Sequence, residues 1–588
     1  ATATLSCAPS GARRRRSSIA VPSTSAPHAV KRRRLLHIAI GLAMLDAYRH
    51  GPRILRPAVR RGWLERGPGS CADRGREPFV EVTWDEAARL VAGELKRVIA
   101  THGNEAIFAG SYGWSSAGRF HHAQSQLRRF MNGLGGAVQH SDSYSLAAGR
   151  VVMPHVVGRG LDEILLNHTS WSVLARHTRL FVSFGGVPWK NAQVMPGGPT
   201  AHLQSTGLRS LAESGCRFVN FSVVRSDLAV PGGECEWIPI RPGSDTAMML
   251  AMAHTMLSEG LEDKEFLATC TDGFETLRAY ILGESDGQPK TPEWASALSD
   301  VPAETIRALG RDIARMPSML TAAWSLQRAD FGEQSFWMTV ALASIAGRVG
   351  KPGQGFAFGY GSMNGMGTPR IELAGPSMST GHNPAGSWIP VARITDMLER
   401  PGAEYDYNGA TRSYPDTRMI FWAGGNPFHH HQDLNRLLRA WAKVDTVVVN
   451  EPWWTALARH ADIVLPATTT LERNDIGASS RDRFITAMHQ AVAPQAQARN
   501  DFDIFGDLAD AAGVKPKFTE QRDEAAWVRF LYERVRHHAR LEGHDMPDFD
   551  EFWAQGYVEF PMPEDGYTQF ADFRANPGAH KLRTGQGQ

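Results

Sequence analysis

The segment Ala109-Gly110-Ser111-Tyr112-Gly113 follows a strand-like run and precedes a helical pattern, the setting in which a G-x-S-x-G elbow exposes a nucleophilic serine. On that reading Ser111 attacks an ester or amide. Ala109 replaces the first glycine, and 22 histidines and 61 carboxylates leave the base and acid unassigned, so a tight strand-to-helix turn is the plainer account. His429-His430-His431 offers three imidazoles, but consecutive residues rarely converge on one ion, and the run follows Gly424-Gly425-Asn426-Pro427 at a strand end. A helix-entry loop lining a ligand suits it better. His121-His122 falls on the helix expected after Ser116, where neighbours point about 100° apart and at most one faces a site. Trp114, Trp189, Trp324, Trp388, Trp453 and Trp454 lie in or near expected loops. One such tryptophan is ordinarily packing, whereas several, with Tyr112 and Arg328 beside them, suit an aromatic funnel over a buried cofactor. The five cysteines, Cys7, Cys71, Cys216, Cys235 and Cys270, show no C-x2-C or C-x3-C spacing, so no Cys-held zinc or iron-sulfur cluster is expected. Their odd count implies no disulfide framework.

The elements that must position these residues alternate short β-branched or aromatic runs with helical patterns from Pro78 onward, the mark of βαβ units and a parallel sheet. Five runs end in loops of small or polar residues: AIFAGSYGW (106–114), LFVSFGGVPWKN (180–191), RFVNFSVVRSD (217–227), MIFWAGGNPF (419–428) and TVVVNEPWW (446–454). Ligands in open α/β sheets bind beyond the carboxyl ends of strands, where backbone N–H groups can hold phosphates. Five such edges suit a large, phosphate-bearing ligand. Helices are expected over 116–132, from its apolar period, and after Asp245, ending at Gly260. The polar stretch 283–292 reads as a surface loop.

At 588 residues, with 42% apolar and 21% charged residues, the chain suggests about three to four ordinary globular domains. The formal net charge is +2, yet the stretch 1–35 holds eight basic residues and no acid, leaving a mildly acidic body without a nucleic-acid footprint. Residues 1–34, rich in Ala, Ser, Pro and Arg, are expected to be disordered. The apolar run 35–45 is too short to span a bilayer but long enough for the core of an export signal, and Arg32-Arg33 with Leu35-Leu36 gives a loose twin-arginine pattern. No A-x-A cleavage site follows, so a buried helix or a misassigned start competes with export.

Seven strings occur together in one order: SYGWSSAGRFHHAQSQ (111–126), DSYSLAAGRVVMPHVVG (142–158), PWKNAQV (188–194), PGSDTAMMLA (242–251), SLQRADFGEQSFWM (325–338), GGNPFHHHQDLNRL (424–437) and ARHADIVLPATTTLERNDIG (458–477). From about Arg56 to Asp510 the sequence resembles molybdopterin enzymes of the dimethyl sulfoxide reductase family, most closely the biotin sulfoxide and trimethylamine N-oxide reductase branch. The resemblance implies a multidomain α/β fold of parallel-sheet βαβ domains, one of them discontinuous. The expected division is an atypical segment 1–52, a discontinuous domain 53–165 plus 375–515, a second domain 166–374 and a partial C-terminal region 516–588.

By the same resemblance Ser145 is the molybdenum ligand, Tyr112 reaches the transferring oxygen, Trp114 lies beside the metal, and Trp324, Arg328 and Trp388 form the funnel. Lys190, Asn191, Arg225, Asp227 and Asp245 fall in segments expected to hold one molybdopterin guanine dinucleotide. Gly424, Gly425, Asn426 and Glu451 fall in those expected to hold the other. The implied cofactor is bis(molybdopterin guanine dinucleotide)molybdenum without an iron-sulfur cluster. The implied reaction is oxygen-atom transfer from biotin sulfoxide, methionine sulfoxide, dimethyl sulfoxide or trimethylamine N-oxide, fed by an external donor such as a quinol-linked cytochrome or a small redox protein. The twin-arginine export machinery is a partner, and the compartment periplasmic, if the Arg32-Arg33 segment works; otherwise the chain is cytoplasmic. Members of this branch begin with a strand-rich segment that residues 1–52 do not resemble, and they continue into a C-terminal barrel-like domain beyond the point where this sequence stops. A truncated, catalytically silent relative with weak or no cofactor binding is therefore the alternative reading, and the Ser111 hydrolase is the third.

Overall fold

The five β-rich runs all become strands, because β-branched and aromatic residues fill both faces of a buried sheet. They are Ile107–Gly110 (β3), Leu180–Phe184 (β5), Arg217–Phe221 (β6), Met419–Ala423 (β13) and Thr446–Glu451 (β14). The computed structural model describes residues 46–48, 51–111, 118–193, 195–198, 201–369, 371, 373–479, 483–562, 566–585 and 587. It separates into the units Ala1–Pro52 and Arg53–Gln588. The basic runs, Cys7, the Arg32-Arg33 pair and the apolar segment 35–45 lie outside the described residues. Among the described residues no helix is long and apolar enough to cross a membrane.

Within the second unit, β3, β13 and β14 join Ala58–Arg60 (β1), Phe79–Glu81 (β2) and Ile463–Pro466 (β15) in a six-stranded sheet of order β2-β1-β15-β14-β13-β3. Its four strands β15, β14, β13 and β3 are parallel, and β1 and β2 close one side antiparallel. The period of two sends Met419, Phe421 and Ala423 to one core and Ile420 and Trp422 to the other. Buried ion pairs fasten this sheet: Asp462 takes Arg60 Nε at 2.9 Å and Arg74 Nε at 3.0 Å, and Arg53 meets Glu472 at 3.0 Å.

The other large sheet is wholly parallel. It adds Glu236–Ile238 (β7), Ser318–Ala322 (β8) and Gly355–Phe358 (β9) to β5 and β6, in the order β7-β6-β5-β8-β9. The order reverses between β5 and β8, the switch point at which such sheets open a crevice beyond their carboxyl ends. Three small sheets complete the fold: Gln139–Ser141 (β4) runs parallel to Trp388–Pro390 (β10), Glu404–Tyr407 (β11) makes a hairpin with Ala410–Ser413 (β12), and Asp475–Gly477 (β16), Phe484–Met488 (β17) and Tyr557–Glu559 (β18) run antiparallel. Residues beyond 515 pack into the same cores: Trp527, Leu531 and Tyr532 join the six-stranded sheet, and Phe570, Phe573 and Leu582 the five-stranded one.

Two local expectations are corrected. The helix expected over 116–132 runs only over Ala123–Gly133, with 112–117 outside the described residues. The buried carboxylate of Asp475 captures the backbone N–H groups of Arg119, Phe120 and His121 at 2.8–3.1 Å, and Gly118 sits at φ +84, so this stretch bonds to a side chain instead of a helix ladder. The stretch 283–292 is a loop, but not simply a solvated one. Lys290 is 2% exposed, its ammonium 2.6 Å from Asp286 and 4.0 Å from the Tyr280 ring centre.

Candidate active site

Ser145 lies just ahead of the helix Ala147–Val157 and lines a cavity of about 500 Å³. Sharing the cavity are Gln124, Arg128, His140, Asp142, Arg150 and Trp324. The neighbouring Tyr144 is held from both large sheets. Its hydroxyl donates to the Val391 carbonyl at 2.9 Å and stands 2.7 Å from His431 Nδ1, whose Nε2 is 2.6 Å from the Thr395 hydroxyl. From the other side Gln327 donates to the Tyr144 carbonyl at 3.1 Å and accepts from the Ala148 N–H at 2.9 Å, capping the helix that begins after Ser145. Burial pushes His431 down to about 4, so it is a neutral strut and not a charge. The histidine run thus divides: His431 points inward, while His429 and His430 are exposed. Among the described residues no group of His, Cys, Asp and Glu is arranged to hold a metal ion.

At the carboxyl edge of the five-stranded sheet a second cavity of about 540 Å³ is lined by Gly185, Ser222, Asp227, Asp245 and Arg328. Gly186 has φ +92, and a Cβ there would come within 2.6 Å of Asp227 Cβ, so only glycine lets the two loops approach. Asp227 accepts from the Ser222 hydroxyl at 3.0 Å and pairs with the exposed Lys190 at 3.4 Å. Asn191 and Arg225 are exposed on the same edge. Asp245 opens the helix Asp245–Ser258, is 4% exposed, has no partner for Oδ1 among the described residues, and is pushed by burial up to about 6.

The six-stranded sheet has a matching edge. Gly424 and Gly425 leave β13 at φ +82 and +74, and Asn426 caps the following turn through Phe428 N–H while its buried Nδ2 has no partner among the described residues. Beside them at the end of β14, Asn450 Oδ1 also has no partner among the described residues, and burial pushes Glu451 up to about 7 although it accepts from Trp453 N–H at 3.3 Å and the Thr455 hydroxyl at 3.4 Å.

Of the residues expected from sequence, Ser145 and Trp324 meet in one cavity. Tyr112 and Trp114 lie outside the described residues. Arg328 is placed elsewhere: it shares the short 3-10 helix Trp324–Arg328 with Trp324 but lines the cavity of Asp227 and Asp245, because residues four apart diverge when a turn holds three. Trp388 is half-buried under the Arg412 guanidinium, 4.0 Å from its ring centre, Trp453 packs on Arg53, Trp454 on Phe79, and Trp189 is exposed. Trp189, Trp388, Trp453 and Trp454 therefore do not line the cavity that Trp324 walls. Ser111 is 1% exposed, and no described residue meets its Oγ, so it has neither the base nor the access that a hydrolase nucleophile needs. His121 is buried against Glu524 at 3.0 Å, and His122 bonds Ser125 at 2.8 Å. Sequence reasoning missed Arg128, His140 and Gln327. The i, i+4 spacing of Gln124 and Arg128 on a helix facing a strand edge is the signal for the first; nothing local marks the other two.

The molybdopterin oxidoreductase family model matches residues 53–511. This chain belongs to the molybdopterin oxidoreductase family. Among molybdopterin oxidoreductases it is 49% identical over 539 residues to the biotin sulfoxide reductase of Cereibacter sphaeroides, covering 91% of this chain and 72% of that one. It is 44% identical over 559 residues to the dimethyl sulfoxide/trimethylamine N-oxide reductase of the same organism, covering 92% and 67%. The trimethylamine-N-oxide reductase of Haemophilus influenzae is 40% identical over 560 residues, covering 91% and 66%. Among solved structures, acetylene hydratase from Pelobacter acetylenicus superposes with a TM-score of 0.60 at 20% identity over 92% of this chain and 70% of that one, a likeness of fold. The donor set fits the molybdenum-molybdopterin cofactor of such an oxidoreductase: unpartnered buried acceptors and amides stand at both sheet edges, beside left-handed glycines that let a ligand approach the backbone.

Proposed function

We propose that this molybdopterin oxidoreductase is a molybdenum-dependent oxygen-atom-transfer reductase of S-oxides or N-oxides such as biotin sulfoxide, methionine sulfoxide, dimethyl sulfoxide and trimethylamine N-oxide. The observation that carries the reading is the 49% identity to a biotin sulfoxide reductase along 91% of the chain. Supporting it, Ser145 opens on a cavity walled by Trp324. In its finer form the reading takes the group to be bis(molybdopterin guanine dinucleotide)molybdenum without an iron-sulfur cluster, fed by an external electron donor. The two sheets, built from strands of 58–110 with 419–466 and of 180–358, support a discontinuous domain around a second one.

When bound, the cofactor supplies the two-electron exchange of an oxygen atom. Ser145 offers a hard oxygen ligand, which suits a high-valent metal better than a thiolate does. Gln327 holds the Tyr144 carbonyl and His431 the Tyr144 hydroxyl, which together fix where the Ser145 oxygen stands. Asp245 accepts an N–H group of one dinucleotide at the five-stranded edge, with Lys190, Asn191, Arg225 and Asp227 on the loops around it. Glu451 with Gly424, Gly425 and Asn426 serves the other. Trp324 excludes water from one wall, and Tyr112 donates a hydrogen bond as charge builds on the transferring oxygen. Reduced viologen mixed with the molybdenum-loaded chain tests the reading: oxidation that depends on added biotin sulfoxide or trimethylamine N-oxide is expected, and a loaded chain that reduces neither oxide overturns it.

A further inference from the structure

Apart from the Ser145 cavity and the two sheet edges, the chain encloses an apolar cavity of about 250 Å³. Its walls come from the ends of the helices Ala147–Val157 and Glu333–Ile345, from the helices Lys264–Cys270 and Phe274–Ile281, from β9 and from the C-terminal helix Ala571–Ala575. Six aromatic side chains line it: Phe266, Phe274, Trp337, Phe356, Phe570 and Phe573. None of its lining residues lines the cavity of Ser145 or that of Asp245. The space exists because Ala341 and Ser344 share the Trp337 face of their helix, where larger side chains would close it. Its hydroxyls are already bonded: Thr271 donates to the Leu267 carbonyl at 2.6 Å and Ser344 to the Val340 carbonyl at 2.9 Å. Among the described lining residues Asp272, which is exposed, carries the one charge. Interiors rarely leave voids larger than a water molecule, and a water held here would lack the two to four polar partners it needs. One wall is also strained. Phe570 is 3% exposed yet sits at φ +61, a conformation that is costly for a bulky residue and collects at ligand clamps.

We propose that this cavity is a binding site for a small uncharged aromatic molecule of one or two fused rings, separate from the candidate active site. Charge is excluded by the walls, which offer no cation to an anion and would strip water from either ion. Size follows from volume: a cavity of about 150 Å³ with aliphatic and phenyl walls takes benzene, so this larger one has room for a second ring. Rings are favoured over alkyl chains because aromatic guests gain edge-to-face or offset contacts, and Phe356 and Phe570 already pair at 5.4 Å. Trp337, 51% exposed, and Asp272 mark the mouth. The proposal stands independently of the reductase reading.

The test is equilibrium dialysis of the full chain at neutral pH against 2-naphthol, its charged counterpart 2-naphthoate, and 1-octanol, in the unmodified chain and in Ala341→Phe and Ala341→Met, which fill the cavity by different amounts. The unmodified chain is expected to take up about one 2-naphthol with a Kd below about 1 mM, and 2-naphthoate at least roughly tenfold more weakly. Ala341→Phe should abolish 2-naphthol binding, and Ala341→Met should weaken it several-fold. If Ala341→Phe fails to fold, Ala341→Met decides. Absence of 2-naphthol binding, or binding that the folded variants leave unchanged, overturns the proposal. Equal uptake of 2-naphthoate, or tighter binding of 1-octanol, overturns it too, because the walls would then not be selecting an uncharged ring.

Discussion

The two large sheets solve one problem with different materials. Each places a carboxyl at its carboxyl edge, buried Asp245 on the five-stranded sheet and half-buried Glu451 on the six-stranded one, and desolvation raises both. Around Asp245 the edge is open: Lys190, Asn191 and Arg225 are exposed, and the cavity there measures about 540 Å³. Around Glu451 the polar groups are enclosed, with Asn426 and Asn450 buried. The strands below differ too. The six-stranded sheet is pinned by Asp462 between Arg60 and Arg74 at no solvent exposure, whereas the five-stranded sheet carries its ion pairs, such as Arg217 with Asp312 at 2.6 Å, near solvent. Matching edges can therefore hold similar ligand halves while resting on unequal foundations.

The largest effect that sharpens this contrast is expected in Asp462→Ala. Leaving two buried guanidinium groups short of their carboxylate should cost about 3–5 kcal/mol in denaturant unfolding. Asp312→Ala, which opens a solvent-facing pair, should cost no more than about 1 kcal/mol, and equal losses would break the comparison. Next come the two raised carboxyls. A carboxyl with a raised pKa in the folded chain contributes fully below its ordinary value and loses that contribution as pH rises through the folded one. The cofactor-free chain should therefore lose stability between about pH 4 and 6 through Asp245 and between about pH 4.5 and 7 through Glu451, by up to roughly 3 kcal/mol for each. Asp245→Asn and Glu451→Gln should each flatten part of that slope, and a slope unchanged in both variants would show that neither carboxyl is the source. The smallest stability effect is expected in Lys190→Ala. The pair with Asp227 is solvent-exposed, so unfolding should change by under about 0.5 kcal/mol while retention of bound guanine nucleotide falls. A stability loss without any nucleotide loss would make Lys190 structural.

Much of this frame was legible in the sequence because period and composition act locally. The runs ending at Gly110, Phe184, Phe221, Ala423 and Glu451 all became strands, and the glycines after Phe184 and Ala423 took the left-handed conformations expected of a strand edge. What was not legible depends on groups distant in sequence. The helix after Ser116 begins late because Asp475, some 350 residues on, captures its backbone N–H groups, and a lone aspartate after Asn474 carries no sign of that. Arg328 faces a different cavity from Trp324 because the turn that carries both has three residues, not the 3.6 of an α-helix. The clamp on Tyr144 joins residues 144, 327, 391, 395 and 431, which only the folded chain brings together. Local pattern builds the edges, and long-range polar contacts aim the side chains.

We propose that the two sheet edges each hold one dinucleotide around a metal at Ser145. The most direct test is the molybdenum and released guanine nucleotide content of the chain expressed with molybdate, alongside Ser145→Ala. About one molybdenum and two guanine nucleotides per chain are expected, with oxide-dependent viologen oxidation lost in Ser145→Ala. A chain that holds one nucleotide or none, or a Ser145→Ala variant that turns over undiminished, would contradict it.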